Sequence, residues 1–483
     1  MSRSSTSVSE RATGDALNSR HHPQSHESLT ARYGSRHRWQ VLGVVAIGFM
    51  AGILPSGSFV VAIPALLQTF HAGQRGGQLV MTTFMVANTI AMLPTPWLIG
   101  RYGLRTCFLW TMALLTLTSV LGALSPSLGF LVVIRALQGA GTGTIMPMSS
   151  IVIMRHFQPR HRGHAAGIMG LAVTLAPAVA PTIGGLMVDH WGWRSVSLMP
   201  LPFCVLAWVA AVRFLPVGHE ADRHGFDGRG MALLSLLTLG WLGTVSNIAA
   251  QGWARGWLLA FFLLLLLSMA AFVDHARRHH KPLIGLEVLG IHRVRMGAVV
   301  AFVLGFYSYG AAYLVPVYFQ VAMGLSATRA GAALMPGTLA LALSSPVAGF
   351  LHEYFSPRQI MTGGMLILAV SWLVLGGFAA SLSYLAFILV LLVSRVGFAF
   401  ANTPMNQAAL ANLNGDLLGQ AAAVLGYTRQ LGGVFGIAAL AGFVAWRGAQ
   451  LGGGGLIEIP AYAEAFLIVA VTAGASLAAV WRL

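Results

Sequence analysis

Long apolar runs separated by short polar segments make up this chain from residue 40 to its end. A run of roughly 20 apolar residues is long enough to cross the hydrocarbon core of a bilayer as a helix. The pattern predicts fourteen membrane-spanning helices. They are residues 40–66, 78–99, 107–125, 129–154, 164–187, 196–214, 229–249, 257–273, 297–320, 329–350, 359–379, 383–410, 420–446 and 462–481.

Composition supports a membrane protein over a soluble one. The chain is 56% hydrophobic and 9% charged, whereas soluble domains carry about 25% charged residues. Residues 1–39 are polar, with Ser, Arg and His prominent. They contain no short apolar run before a small-residue cleavage site, so they do not match a secretory signal. We predict a disordered cytoplasmic tail over this segment.

The basic residues predict the orientation of the spans. Net charge is +16, and every basic residue other than Lys281 is Arg. These residues are scattered through many short loops, which the positive-inside rule explains better than nucleic-acid binding does. With the tail in the cytoplasm, most loop arginines lie on the cytoplasmic side. The exceptions are Arg75, Arg194, Arg255, Arg329 and Arg447. We therefore predict that both termini are cytoplasmic and that the number of spans is even.

Several kinds of chemistry have no support in the sequence. A Walker A loop needs a lysine followed by Ser or Thr, but Lys281 is followed by Pro282. Cys107 and Cys204 have neither metal-ligand spacing nor a disulfide framework. We predict no enzyme active site, no metal site and no cofactor. Any active transport must use an ion gradient or a separate ATPase subunit.

The fourth predicted span carries polar residues on one face. Arg135, Gln138, Thr142 and Met146 recur at three- and four-residue steps, which places them on the same side of a helix. An arginine inside the membrane is costly and usually faces a protein interior or a wet cavity. Two interpretations stay open: this face lines a substrate cavity, or Arg135 bonds helix carbonyls and holds neighbouring helices together.

Two further arginines, Arg395 and Arg429, also fall within predicted spans. A charge in a low-dielectric medium acts much more strongly than one in water. A cavity lined by Arg135, Arg395 or Arg429 is therefore expected to repel organic cations and to accept neutral or anionic compounds.

The fifth predicted span contains a seam of small residues and two prolines. Pro177 and Pro181 remove backbone donors, so the helix is expected to bend. Ala180, Gly184 and Gly185 allow close helix packing. A bent helix with such a seam is suited to rocking against a neighbouring helix.

A short loop joins the second and third predicted spans. Gly103 permits a tight turn there, and Arg101 and Arg105 flank it where they can meet helix C-terminal carbonyls. We expect this loop to act as a conformational gate rather than as a substrate contact.

In their order and spacing, these motifs resemble the major facilitator superfamily, and within it the fourteen-helix drug:proton antiporter branch. Other stretches typical of that branch are Trp191–Arg194, Pro316–Gln320, Ala330–Pro336 and Arg429–Gly433.

The resemblance implies an all-α membrane protein with the major facilitator fold. Two six-helix halves, 40–214 and 297–483, would flank an inserted helix pair with cytoplasmic loops at 215–296. Glu353 and Arg358 would belong to the second-half copy of the gate loop.

The chain departs from this branch at its acidic positions. Pro55 stands where the first helix of the branch usually has Asp. No Asp, Glu or His falls in the middle of a predicted span, although proton-coupled carriers usually keep one there. Asp189, Asp227 and Glu464, near helix ends, are the remaining candidates for a proton relay.

The predicted function is a secondary transporter of the inner membrane that exports drug-like or amphipathic small molecules by alternating access. The resemblance implies coupling to proton influx. The missing carboxylates favour an alternative, an uncoupled facilitator or metabolite importer, and a non-transporting membrane sensor is a third reading. The expected partners are the substrate, the lipid bilayer and, for an antiporter, protons. A nucleic-acid partner is not expected, and a periplasmic adaptor protein remains an alternative partner.

Overall fold

Helices make up the architecture of this protein. The computed structural model describes residues 36–217, 226–251, 255–279, 283, 285–351, 354–411, 413, 415–452 and 459–483, and those residues contain no β-strand. The predicted all-α fold class is confirmed. In chain order the helices are α1 His37–Thr69, α2 Gln74–Met92, α3 Thr95–Tyr102, α4 Leu104–Ala123, α5 Leu128–His156, α6 Pro159–Trp191, α7 Trp193–Leu198, α8 Leu201–Phe214, α9 Gly228–Gln251, α10 Arg255–Arg278, α11 Leu286–Gly290, α12 His292–Val317, α13 Ala327–Ala332, α14 Met335–Phe350, α15 Pro357–Phe378, α16 Tyr384–Leu410, α17 Gly415–Leu451 and α18 Ile459–Trp481.

Most of these helices are suited to crossing a membrane. Among the residues that the structure describes, ten helical segments are long and apolar enough, and α2 and α3 make an eleventh if they are taken together across their 52° bend. Pro94 occupies this break and lacks the N–H needed to continue α2. Helices α6, α9 and α10 have 33, 24 and 24 residues and coincide with the other three predicted spans. The chain is therefore a multi-pass membrane protein, while the count of fourteen stays a prediction.

Helix ends meet on two sides of the bundle. On the side where α1 begins, called the tail side, His292 Nε2 lies 3.0 Å from the carbonyl oxygen of Arg482. On the opposite side, called the far side, the Trp193 indole donates to Thr69 Oγ1 at 3.1 Å. These contacts join the ends of helices that are distant from each other along the chain.

The first six spans and the last six share the same helix pairings. Helix α1 packs on α6 as α12 packs on α17, α2 packs on α5 as α14 packs on α16, and α4 packs on α8 as α15 packs on α18. Glycines permit the closest approaches: a Cβ on Gly139 would overlap the Phe84 carbonyl, and one on Gly432 would overlap the Phe302 carbonyl. Repeated pairing of this kind fits a two-half repeat. The domain boundaries stay predictions.

Helices α9 and α10 lie outside these two sets. Helix α9 packs on both α17 and α2, and α10 packs on α9. The Thr238 and Tyr427 hydroxyls are 2.7 Å apart, and the Trp241 and Phe435 rings meet edge-on with centroids 5.5 Å apart. The pair is therefore attached to helices of both sets through α9.

Candidate functional site

Arg135 on α5 is completely enclosed between α1 and α2, with no exposed surface. Its guanidinium lies 4.3 Å from the Phe59 ring centre and 4.2 Å from that of Phe84. The negative faces of two aromatic rings stabilise a buried cation. Nη1 donates to Gln138 Oε1 at 3.0 Å, whereas Nη2 has no hydrogen-bond partner among the described residues. This setting explains how the charge is held without a carboxylate.

The rest of the predicted α5 face ties helices together. The Thr142 hydroxyl donates to the carbonyls of Gln138 at 2.9 Å and Gly52 at 3.1 Å, which joins α5 to α1. Met146 packs on the apolar cluster at the tail side. This geometry fits the helix-holding interpretation, and a substrate role for the face stays a prediction.

A second polar cluster lies between the two sets of helices and includes Arg429. Its Nη2 donates to Asn406 Oδ1 on α16 at 3.1 Å, and Nε has no partner among the described residues. Next to it, Gln430 Nε2 donates to Asn88 Oδ1 on α2 at 3.0 Å. The Tyr309 side chain on α12 interacts with both Arg429 and Gln430. Arg429 is half-buried, whereas Arg135 has no exposed surface. Because the Arg429 Nε is itself enclosed, a ligand would meet the exposed part of the side chain.

The sequence pattern indicates Arg429 as a candidate site residue but not the amides around it. Asn88, Asn406 and Gln430 come from three helices that are far apart along the chain. Polar side chains inside a membrane are rare and tend to be functional. That signal was present in the sequence, and only the folded structure shows that these residues meet.

Arg395 lies apart from that cluster, beside a small cavity within the last six spans. Tyr307 and Trp372 also line this cavity. The Arg395 guanidinium is 5.3 Å from the Tyr307 ring centre, and the buried Trp372 indole N–H has no partner among the described residues. The structure thus separates the three embedded arginines into three different environments.

The predicted gate loop is a tight turn between α3 and α4. Gly103 has φ of +83°, a backbone conformation that side chains with a Cβ rarely adopt. Arg101 is exposed and Arg105 is half-buried. Arg358, at the start of α15, is exposed, and Glu353 lies outside the described residues. The gate role of these four side chains stays a prediction.

Helix α6 has two packing seams rather than one. Ala180 and Gly184 face α1 within the first set, where the Ser58 hydroxyl donates to the Ala180 carbonyl at 2.8 Å. Gly185 instead faces the backbone of Ala327, and a Cβ on Gly331 would overlap the Pro181 carbonyl. Pro177 lies within the helix interior. The contact between α6 and α13 therefore runs through Gly185 and Pro181, not through Gly184.

The three acidic candidates all lie at helix ends in the structure. Asp189 accepts from the backbone N–H of Thr328 at 2.9 Å and from its hydroxyl, across the two sets at the far side. Glu464 forms an ion pair with Arg447 at 2.9 Å. Asp227 precedes α9 at the tail side. None of the three lies near the Arg429 cluster.

Comparison with known proteins identifies the family. A model of the Major Facilitator Superfamily matches residues 42–437. The chain belongs to the major facilitator superfamily. The resemblance seen in the sequence is confirmed, and this facilitator is a transporter rather than an enzyme.

Relatives of this facilitator include proteins named for drug resistance. The tetracenomycin C resistance and export protein of Streptomyces glaucescens is 29% identical over 432 residues, covering 88% of this chain and 80% of that protein. A multidrug resistance protein B homolog of Mycobacterium tuberculosis is 28% identical over 365 residues, covering 74% and 67%. These relatives support the drug-efflux type within the family.

Solved structures share the fold at low identity. A bacterial homolog of the human lysosomal transporter Spinster, crystallised inward-facing and unoccupied, aligns with a TM-score of 0.64 and 16% identity over 92% of this chain and 96% of that one. An auto-inhibited peptide transporter of the POT family aligns with a TM-score of 0.65 and 17% identity, covering 91% and 96%. At this identity the likeness concerns the fold alone.

Proposed function

We propose that this facilitator exports amphipathic small molecules, drugs among them, across the cytoplasmic membrane. Two supports are independent of each other. Its relatives include a resistance and export protein, and its chain carries a polar, cationic cluster between the two sets of helices. Ligand sites of such carriers lie near the midplane between the halves.

Alternating access is the proposed mechanism, with the tail side cytoplasmic. Helices α6 and α13 touch at the far side, where glycine contacts and the Asp189 hydrogen bonds join the two sets. Export requires these contacts to separate while the tail side closes. In the arrangement described here, the far-side contacts are formed.

The half-buried Arg429 is the observation that carries the proposed substrate class. Its partly exposed side chain and positive charge favour neutral or anionic compounds with hydrogen-bond acceptors, and no Asp or Glu among the described residues lies beside it. A lone cation in such a setting repels organic cations. Arg135 has no exposed surface, so its proposed role is to hold α1, α2 and α5 together.

Counterflow in proteoliposomes tests this assignment. A panel of labelled anionic, neutral and cationic amphiphiles is expected to show exchange of the first two classes only. Arg429→Gln removes the charge and keeps donors, so exchange of anionic compounds should fall about tenfold or more while the protein stays folded. Arg293→Gln, at an exposed position outside the predicted site and gate, is the matched control. Exchange restricted to cations, or unchanged in Arg429→Gln, would reject the substrate class.

Proton coupling is the second part of the proposal to be tested. An imposed pH gradient should drive uphill transport if Asp189, Asp227 or Glu464 relays protons. Equal flux with and without a gradient would instead identify an uncoupled facilitator, the alternative that the placement of acids at helix ends favours. A chain that shows no exchange of any compound would support the sensor interpretation.

Orientation has its own test. A reporter that is active only in the cytoplasm should work when fused after Leu483 and fail when fused after residue 254. The opposite pattern would reverse the assigned direction of export.

A further inference from the structure

Three potential metal ligands meet at the tail side, away from the Arg429 cluster. Asp227, His275 and His279 place their ligand atoms within 4.8 Å of one another. His275 and His279 are one helical turn apart at the end of α10, and their rings stack with centroids 5.0 Å apart. Two histidines at this spacing on one helix face can bind the same ion. This site differs from the prediction of no metal site. Asp227 lies 48 residues before His275, so no local spacing in the sequence connects these ligands.

The Asp227 carboxylate is buried and already positioned for ligation. Oδ1 accepts from the Gly230 N–H at 2.8 Å and lies 2.6 Å from His275 Nε2, and Oδ2 accepts from the Leu283 N–H at 3.2 Å. Burial acts to raise the pKa of this carboxyl, but the hydrogen bonds from Gly230, His275 and Leu283 outweigh it and lower the pKa. The same hydrogen bonds hold the carboxylate in a fixed position beside His275.

We propose that Asp227, His275 and His279 form a binding site for a divalent transition-metal ion, with Zn²⁺ as its best chemical match. Imidazole and carboxylate together suit Zn²⁺. Ligand atoms at about 2.0–2.1 Å from a tetrahedral ion stand about 3.3 Å apart. Small side-chain rotations therefore bring all three to the ion. Its binding would replace the Asp227–His275 hydrogen bond, and the proton of that bond would move to the other ring nitrogen of His275 or to solvent. The fourth position would take water, because His279 is exposed.

Occupancy of this site would link three segments at the tail side. Asp227 directly precedes α9. His275 lies in the last turn of α10, His279 directly follows α10, and Leu283 leads toward α11 and the last six spans. The neighbouring Phe226 ring packs on Trp97 of α3 with centroids 4.8 Å apart. A bound ion would thus stiffen the attachment of the inserted pair next to the gate loop.

Metal titration of the purified full-length chain in detergent tests the site, with Co²⁺ as a spectroscopic probe and Zn²⁺ as its competitor. The protein should carry an affinity tag without histidine. His21, His22 and His26 of the tail are replaced by Ala in the parent, because they offer a competing site. The parent should bind one Co²⁺ per chain with the visible absorption of a tetrahedral complex, which Zn²⁺ abolishes.

Two variants distinguish a metal site from a simple Asp227–His275 hydrogen bond. His279→Ala removes an exposed ligand that takes no part in that bond, so it should weaken Co²⁺ affinity about tenfold or more without lowering the melting temperature. His275→Ala should abolish the absorption, and His190→Ala, an exposed far-side histidine, is the control. Zn²⁺ should raise the melting temperature of the parent and of the control. Absence of stoichiometric binding, or binding unchanged in His279→Ala, would overturn the proposal.

Discussion

Gly331 on α13 is the most informative position for testing the far-side contact. A Cβ there would stand 2.6 Å from the carbonyl carbon of Pro181 and 3.0 Å from the nitrogen of Thr182. Ordinary carbon contacts lie at about 3.5–4.0 Å. In Gly331→Ala, α6 and α13 must therefore separate by about 1 Å.

The size of the effect follows from that overlap. Overpacking of this kind costs about 1–3 kcal/mol, and it acts only on the arrangement in which α6 and α13 touch. The far-side-open population should therefore rise about 5–150-fold relative to the closed one. Ala also stabilises a helix relative to Gly, but this effect is the same in the open and closed arrangements. It therefore cancels in the free-energy difference between them.

Spin-label distances across the far side provide the assay. Labels at His190 and Leu385, both exposed and on different sets of helices, report the separation after the buried Cys107 and Cys204 are replaced by Ala. Gly331→Ala should increase the long-distance population. Gly377→Ala is the control, because a Cβ at that helical position meets nothing within 4 Å. A folded Gly331→Ala protein with the parent's distance distribution would refute the claim that this glycine contact keeps the far side shut.

Three further changes separate gating from stability. Gly184→Ala places a Cβ 2.7 Å from a side-chain carbon on α1. This variant should therefore have a lower melting temperature and unchanged far-side distances. A shift in those distances would contradict the assignment of this seam to one set of helices. Asp189→Asn removes the charge from the hydrogen bonds to Thr328, and because this pair is exposed we expect the open population to rise by less than about tenfold in the same assay. Glu464→Gln breaks a partly exposed ion pair with Arg447, so the melting temperature should change little, because solvent screens such pairs. Loss of gradient-driven transport in that variant would instead identify Glu464 as a coupling residue.

The candidate site was only partly predictable from its residues. Arg429 could be identified from the sequence because burying a charge inside a membrane helix costs free energy whichever way that helix faces. The amides at Asn88, Asn406 and Gln430 carry no comparable penalty, so nothing in the sequence distinguished those that face a partner from those that do not. Their meeting depends on how α2, α16 and α17 rotate and tilt against each other.

The sequence by itself determined that this protein lies in a lipid bilayer and that its secondary structure is helical. Twenty-residue apolar runs can satisfy their backbone polar groups in lipid only as helices, so the helical membrane fold followed from local pattern alone. The contacts were decided by tertiary structure, since adjacent small residues on one helix point in different directions. Gly184 and Gly185 are consecutive, yet one faces α1 and the other faces α13. Likewise Asp227 reaches His275 and His279 only because α9 and α10 pack side by side, which brings distant positions to one helix end.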